Sequence, residues 1–206
     1  MKVIPVFISL LLTFQGFSQQ TINGTLDHNG VSRSYILYVP SSYSGDETVP
    51  LVFNFHGYGS NALEQYYYAD FRLIAERENF LIVLPNGTVF NGNQHWDVGG
   101  TIFGSGTDDV GFTETLLDEL SSQYNIDQKR VYSTGMSNGG YMSFHLACQL
   151  PNRFAAIASV TGAMTPISKF NCAIDRPFPV LQIHGTEDPV VPYNGATWSI
   201  SIPEVL

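Results

Sequence analysis

Short apolar runs along the chain alternate with longer stretches in which apolar residues recur every three or four positions. The apolar runs cover residues 50–55, 80–84, 130–134, 154–160 and 179–184, and amphipathic stretches occupy 61–77, 108–124 and the segment from Asn138 onward. Strand-like runs separated by helices of ten or more residues are typical of βαβ units. The pattern predicts an α/β fold: a mostly parallel sheet with helices on both faces.

Residues 20–40 follow a different pattern. Two strand-like segments, 20–28 and 31–40, are joined by Asn29-Gly30. Asn-Gly between two such segments favours a tight hairpin turn, since both turn residues tolerate a positive φ. The sequence therefore predicts an antiparallel pair ahead of the parallel strands.

The first 18 residues have the three parts of a secretory signal peptide. Lys2 supplies the positive charge, residues 3–14 are apolar, and small residues lie at 16 and 18. The apolar run is too short to span a membrane. We expect residues 1–18 to be a signal peptide, residues 19–206 to form one domain, and the protein to be secreted, to the periplasm or the extracellular medium.

Composition narrows the classes of partner. The formal net charge is −9, and no cluster of basic residues is present. Nucleic acid and anionic membrane surfaces are therefore not expected as partners. Histidines and cysteines lack the spacing of a metal site, so neither a metal nor a cofactor is expected. The oligomeric state stays open.

The chain has two cysteines, Cys148 and Cys172. An even number in a secreted protein favours a disulfide. Two buried free thiols are the alternative.

A glycine-flanked serine lies where the 130–134 strand meets the following helix. The residues are Gly135-Met136-Ser137-Asn138-Gly139, a G-x-S-x-G sequence. A sharp strand-to-helix turn lifts such a hydroxyl above the sheet, and the helix N-terminus offers unpaired N–H groups to an oxyanion. Ser137 is therefore a candidate nucleophile; an ordinary structural turn is the alternative.

Longer strings around this serine resemble a known family. They are FHGYGSNA, TDDVGFTETLLDEL, RVYSTGMSNGGYMSFHLAC, RFAAIASVTG and VLQIHGTEDPVVPYNG. Their order is that of an α/β-hydrolase, and the strings resemble the extracellular poly(3-hydroxybutyrate) depolymerase and feruloyl esterase group. The resemblance implies a serine esterase that cleaves feruloyl or acetyl esters of plant polysaccharides, or polyhydroxybutyrate-type esters.

The resemblance also implies roles for individual residues. Ser137 is the nucleophile and Asp188 the triad acid, while the backbone N–H groups of Tyr58 and Asn138 form the oxyanion hole. Asp188 precedes a proline, so a simple turn is its alternative role. The aromatic rings of Trp96 and Tyr58 are candidate walls for a substrate ring, with loop packing as the alternative.

The catalytic histidine departs from the family pattern. All five histidines of the chain precede Asp188: His28, His56, His95, His145 and His184. His56 and His184 are expected to hold loops, and His95 is the one free to approach Ser137. The expectation is a C-terminally truncated esterase: the final strand and helix of the fold are missing, and the catalytic histidine lies beyond Leu206. A catalytically inactive secreted domain that binds carbohydrate or another partner is the alternative.

Overall fold

The computed structural model describes residues 18–100, 104–172 and 174–206. The predicted signal peptide falls almost entirely on residues 1–17 and so lies outside the described residues. No helix within the described residues is both long enough and apolar enough to cross a membrane.

A seven-stranded sheet forms the centre of the molecule. Its strands are β1 (Gln20–His28), β2 (Val31–Val39), β3 (Val49–Phe55), β4 (Leu81–Pro85), β7 (Ile126–Met136), β8 (Ala156–Val160) and β9 (Val180–Ile183), in the order β1-β2-β4-β3-β7-β8-β9. β1 pairs with β2, and β2 with β4, in antiparallel fashion, whereas β4, β3, β7, β8 and β9 run parallel. The α/β prediction is confirmed.

The β1–β2 hairpin turns at Asn29 and Gly30, whose φ angles are 54° and 78°. Two consecutive positive φ angles match the twist of the flanking strands, which is why Asn-Gly was an effective signal. A second, smaller hairpin consists of β5 (Thr88–Phe90) and β6 (Asn93–His95), with Asn91 and Gly92 also at positive φ. The sequence pattern had predicted a loop where this second hairpin lies.

The helices are α1 (Ala62–Tyr68), α2 (Arg72–Glu78), α3 (Asp109–Gln123), α4 (Asn138–Gln149), α5 (Pro166–Phe170) and α6 (Ile202–Val205). The single helix predicted over 61–77 is in fact two. Asp70 separates them: its carboxylate accepts a hydrogen bond from the Arg72 N–H at 3.0 Å and pairs with the Arg72 guanidinium at 2.6 Å. An aspartate that bonds backbone N–H groups ahead of it competes with helix continuation.

Helices cover both faces of the sheet. The larger core lies between the sheet and helices α3 and α4, and contains Leu37, Phe53, Phe55 and Val83. Ile36, Tyr38, Ile82 and Leu84 point the other way and pack with Tyr66 of α1. The alternation along β2 and β4 sends neighbouring side chains to opposite cores, as the pleat requires.

One edge of the sheet is open. β9 pairs with β8, and among residues 184–206 no further strand follows it. Leu181 and Ile183 on this strand are 58% and 55% exposed. A cavity of about 350 Å³ lies over the same face, between Phe71 and Ile74 near α2 and the β7–β8 pair.

Candidate active site

Ser137 lies at a strained turn at the carboxyl end of β7. It separates β7 from α4 and has φ 52° and ψ −117°, outside the regions favoured by non-glycine residues. Its N–H donates to the Val160 carbonyl at 2.8 Å, and its own carbonyl accepts from the Tyr141 N–H at 3.0 Å. Bonds on both sides hold a backbone conformation that a free chain would avoid.

Glycines make this turn possible. A Cβ on Gly135 would lie 2.5 Å from the carbonyl carbon of Gly139 and 2.8 Å from the carbonyl oxygen of Phe55. On Gly139 it would lie 2.7 Å from the Phe55 carbonyl carbon. Real Cβ atoms do not approach backbone this closely, so the G-x-S-x-G spacing is a packing requirement of strand, turn and helix.

The loop that follows β3 runs beside Ser137. A Cβ on Gly57 would lie 3.7 Å from the Ser137 Cβ and 3.5 Å from the Met136 carbonyl oxygen. The Gly59 N–H donates to the Gln94 carbonyl at 2.8 Å, which ties this loop to the β5–β6 hairpin. Tyr58 lies between these two glycines, and its side chain is 42% exposed. Asn138 is the first residue of α4, where backbone N–H groups have no carbonyl partner within the helix.

Trp96 is a core residue, which contradicts its predicted role as a substrate wall. It has no exposed surface. Its indole Nε1–H donates to the His56 carbonyl at 2.9 Å, and its ring packs edge-on against Phe55 at a centroid distance of 5.0 Å. A polar N–H satisfied in the core holds the ring inward.

The side chain of Asn138 also turns inward, to the backbone of Trp96. Asn138 Oδ1 accepts from the Trp96 N–H at 2.7 Å, and Asn138 Nδ2 donates to the Trp96 carbonyl at 3.1 Å. The backbone N–H of Asn138 remains the group proposed for the oxyanion hole, while its side-chain amide binds the loop that contains Trp96.

Asp97 organises the loop after Trp96, a role that sequence analysis missed. Its carboxylate accepts from the N–H groups of Gly99, Ser105, Gly106 and Thr107 at 2.9, 2.7, 2.5 and 3.1 Å. An aspartate side chain accepts hydrogen bonds from the backbone N–H groups that follow it, as in an Asx turn, and here four such groups are satisfied by one carboxylate. A lone aspartate in a Gly- and Ser-rich loop was the available signal.

The two aspartates of the DDVGF string have different roles. Asp108 caps α3 by accepting from the Gly111 N–H at 2.8 Å, which lowers the pKa of its carboxyl. Asp109 is buried, and its carboxylate contacts Arg33 at 2.6 Å and the Asp97 N–H at 2.7 Å. Burial raises the pKa of Asp109, and the adjacent Arg33 charge opposes that rise. Arg33 is buried as well and was not singled out in the sequence.

Asp188 lies in the loop after β9, at the same end of the sheet as Ser137. One carboxylate oxygen accepts from the N–H groups of Val190 and Val191 at 2.8 and 2.9 Å. These bonds, that of Val191 first, lower the pKa of Asp188 and keep it ionised. The other oxygen lies 3.7 Å from His184 Nε2.

The histidines already have partners. His56 is held between the Gly57 carbonyl and the Gly87 N–H, and His95 between the Thr88 carbonyl and the Ser105 hydroxyl. His184 contacts Gln182 and the Val191 carbonyl, and His28 contacts Thr115 and Asp108. His145 lies on α4 two helical turns past Ser137, and its Nδ1 forms a hydrogen bond with the Ser168 hydroxyl. His95 is fully buried, so the expectation that it is free to approach Ser137 is wrong.

Two further features concern the surroundings of the site. The structure joins Cys148 and Cys172 in a disulfide, with Cα atoms 4.6 Å apart, which links the end of α4 to the residues after α5. In the three described ranges, no group of three or more histidine, cysteine or carboxylate side chains is placed to hold a metal ion.

Comparison with known proteins gives related sequences. Residues 108–199 match the family described as phospholipase/carboxylesterase. The chain is 31% identical over 176 residues to the bifunctional acetylxylan esterase/xylanase XynS20E of Neocallimastix patriciarum, with 85% of this chain and 24% of that protein covered. It is 33% identical over 165 residues to feruloyl esterase B of Piromyces equi, with 79% and 30% covered. It is 30% identical over 181 residues to a probable feruloyl esterase C of Aspergillus clavatus, with 84% and 60% covered. The chain thus spans between 24% and 60% of the length of these relatives.

Solved structures show the same fold. A thermostable esterase superposes with a TM-score of 0.69 at 23% identity, over 85% of this chain and 49% of that one. An acetyl xylan esterase from Aspergillus awamori gives 0.58 at 23% identity, over 71% and 53%. The chain is therefore an α/β-hydrolase by fold. Its sequence is similar to carboxylic ester hydrolases, among them feruloyl and acetylxylan esterases.

Proposed function

We propose that this chain carries the nucleophile, acid and oxyanion site of a secreted carboxylic ester hydrolase. The observation that carries the proposal is Ser137, held at φ 52° between β7 and α4 by a turn that only glycines permit on either side. Strain of this kind is concentrated at functional sites, because ordinary packing gives no reason to retain it.

The proposed reaction passes through an acyl-enzyme. Ser137 Oγ attacks the ester carbonyl carbon, and the carbonyl oxygen takes negative charge between the N–H groups of Asn138 and Tyr58. The base that takes the Ser137 proton returns it to the ester oxygen as the tetrahedral intermediate collapses, so the leaving group departs as an alcohol. The same base then takes a proton from water, which attacks the acyl carbon, and returns it to Ser137 Oγ as the acid is released. Each oxyanion donor contributes on the order of 3 kcal/mol to lowering the barrier.

A base must remove the Ser137 proton, and Asp188 is suited to orient it. The ionised carboxylate has one oxygen fixed by backbone N–H groups, which leaves the other to accept from an imidazole N–H. His28, His56, His95 and His184 have both ring nitrogens engaged, and His145 lies away from Ser137. The proposal therefore assigns the base to none of these five histidines.

The substrates proposed are feruloyl and acetyl esters of plant polysaccharides, because the relatives that match most of this chain are feruloyl and acetylxylan esterases. Polyhydroxybutyrate-type esters are a second class with the same chemistry. Secretion, suggested by residues 2–18, suits an enzyme whose substrate is a polymer outside the cell.

The test measures Ser137-dependent chemistry with and without an added base. We expect a fluorophosphonate probe to label Ser137, and p-nitrophenyl acetate hydrolysis to rise with imidazole concentration, because free imidazole can take the Ser137 proton. Ser137→Ala removes both signals, whereas Ser122→Ala, at an exposed serine on α3, removes neither. Labelling and hydrolysis that persist in Ser137→Ala contradict the mechanism.

The engagement of all five histidines also favours a second candidate, a binding domain on an esterase fold. It predicts saturable binding to xylan fragments, no labelling of Ser137 and no response to imidazole. Isothermal titration with xylo-oligosaccharides, run beside the labelling assay, separates the two functions.

A further inference from the structure

The two candidate oxyanion donors belong to different elements. Tyr58 lies in the loop after β3, whereas Asn138 begins α4. Both N–H groups must lie about 3 Å from the same oxygen, so the spacing between loop and helix has to be fixed. An error of about 1 Å in such a site costs on the order of 100-fold in rate.

Trp96 contacts both elements at once. Its backbone N–H and carbonyl form a pair of hydrogen bonds with the Asn138 amide, at 2.7 and 3.1 Å. Its indole N–H reaches the carbonyl of His56, two residues before Tyr58, at 2.9 Å. Trp96, His56 and Asn138 have no exposed surface, so water does not compete for these bonds.

Trp96 is itself anchored to rigid parts of the fold. The N–H of the next residue, Asp97, donates to Asp109 at the start of α3, and Asp109 pairs with Arg33 of β2. The indole also packs on the Phe55 and His56 rings, at centroid distances of 5.0 and 4.8 Å. The tryptophan is thus fixed to α3 and β2 on one side and to the two donor elements on the other.

We propose that Trp96 is a positioning residue that holds the two oxyanion donors at their working separation. The assignment rests on the proposed esterase function and replaces the substrate-wall role. Without the indole N–H, the buried His56 carbonyl loses its donor and the loop that carries Tyr58 is free to shift relative to α4.

The first experiment removes the indole N–H and keeps the ring. Trp96→Phe and a Trp96→benzothienylalanine substitution, in which sulfur replaces the N–H at nearly equal volume, are compared with Trp198→Phe, at the other tryptophan of the chain. With imidazole present, we expect both Trp96 variants to lose about 10-fold or more in Ser137-dependent kcat for p-nitrophenyl acetate, with KM changed less than twofold, because the donors act on the transition state. Trp198→Phe keeps the wild-type kcat. A wild-type kcat in the benzothienylalanine variant overturns the proposal.

The second experiment does not depend on activity. Hydrogen exchange of the amides in residues 56–60 and at Asn138 is measured in wild type and in the same three variants. We expect exchange to rise several-fold in the Trp96 variants only. Unchanged exchange overturns the positioning role. If wild-type Ser137 proves unreactive while exchange rises as expected, the proposed hydrolase function fails and the coupling of loop to helix through Trp96 stands.

Discussion

Around Ser137, single atoms decide which residues are allowed. The positive φ of the serine, the hydrogen bond from its N–H to Val160 and the missing side chains at Gly135 and Gly139 depend on one another. A methyl group added at either glycine meets backbone, which cannot move as a flexible side chain can. The site is therefore more sensitive to small substitutions than its position at the protein surface suggests.

Gly139→Ala is expected to lower the free energy of unfolding by about 3 kcal/mol, the upper part of the usual range for overpacking. The added Cβ would lie 2.8 Å from the His56 carbonyl oxygen and 2.7 Å from the Phe55 carbonyl carbon. Urea denaturation followed by circular dichroism measures the change. The control is Gly106→Ala, where φ is +79° but no atom lies within 4 Å of the new Cβ, so only backbone strain of about 1 kcal/mol is added. Equal losses in both variants would show that crowding is not the cause.

His56 couples stability to pH. Burial lowers the pKa of His56 from its ordinary 6.5 to about 4, so the unfolded chain binds the proton more readily. The stabilisation is complete above pH 6.5 and is lost as the pH falls towards 4, by up to about 3 kcal/mol. Burial lowers the pKa of His145 too, which acts in the same direction.

We expect His56→Gln to flatten the fall in unfolding free energy between pH 6.5 and 4, measured by urea titrations at several pH values. The test compares the slope of unfolding free energy against pH, because the substitution also changes the absolute stability. His145→Gln, at the second histidine whose pKa burial lowers, should flatten the fall in the same direction. A wild-type slope in His56→Gln would exclude this histidine as its source.

At the scale of elements, buried charge joins the outer hairpin to the loop beside the site. Arg33 of β2 is 4% exposed and Asp109 of α3 is 1% exposed, and their contact is 2.6 Å. Arg33 also lies over the Phe112 ring at 4.0 Å. A buried pair is costly to break from one side, because the remaining charge keeps its desolvation penalty without a partner.

Arg33→Met is expected to lower the free energy of unfolding by about 3–5 kcal/mol at pH 7. The loss should be smaller at pH 5, because an unpaired Asp109, whose pKa is already raised by burial, can then take up a proton. The double variant Arg33→Met/Asp109→Asn removes both charges and keeps an acceptor for the Asp97 N–H. Thermal and urea unfolding should place the double variant above Arg33→Met. If the loss of unfolding free energy in the double variant equals the sum of the losses in Arg33→Met and Asp109→Asn, the pair is not coupled.

Over the whole molecule, the sheet is well covered at its centre, and no further strand pairs with its β9 edge among the described residues. β9 has a neighbouring strand on one side only, and its Leu181 and Ile183 are exposed. Edges of this kind pair with other chains unless charge or a covering element prevents it.

We expect the 206-residue chain to associate with rising concentration, and the double variant Leu181→Lys/Ile183→Lys to stay monomeric over the same range. Sedimentation velocity and light scattering measure the difference. Leu73→Lys, at a leucine of α2 that is 83% exposed, controls for added charge away from the edge and should associate like wild type. A wild type that is monomeric at all concentrations would contradict the role of this edge.

Much of the fold follows from local patterns that need no distant partner. Apolar runs fix the parallel strands, Asn29-Gly30 fixes the hairpin, and the glycines around Ser137 fix the strand-to-helix turn. Each signal spans fewer than ten residues, where side-chain period and allowed φ angles decide the conformation. The β5–β6 hairpin had the same Asn-Gly signal, but its three-residue strands are too short to show a period.

The sequence by itself therefore determined the sheet, the parallel direction of its central strands, and a serine at a sharp strand-to-helix turn. The tertiary structure alone decided that Trp96 lies in the core and that the Asp97 carboxylate binds the backbone N–H groups of its loop. It also decided that Arg33 forms an ion pair with Asp109, and that the five histidines form hydrogen bonds with groups other than Ser137. These outcomes depend on partners dozens of residues away: His56 for Trp96, and Arg33 for Asp109. A polar or aromatic residue in a loop has no preferred side of its own, because its burial is favourable only when a distant group satisfies its hydrogen bond or charge.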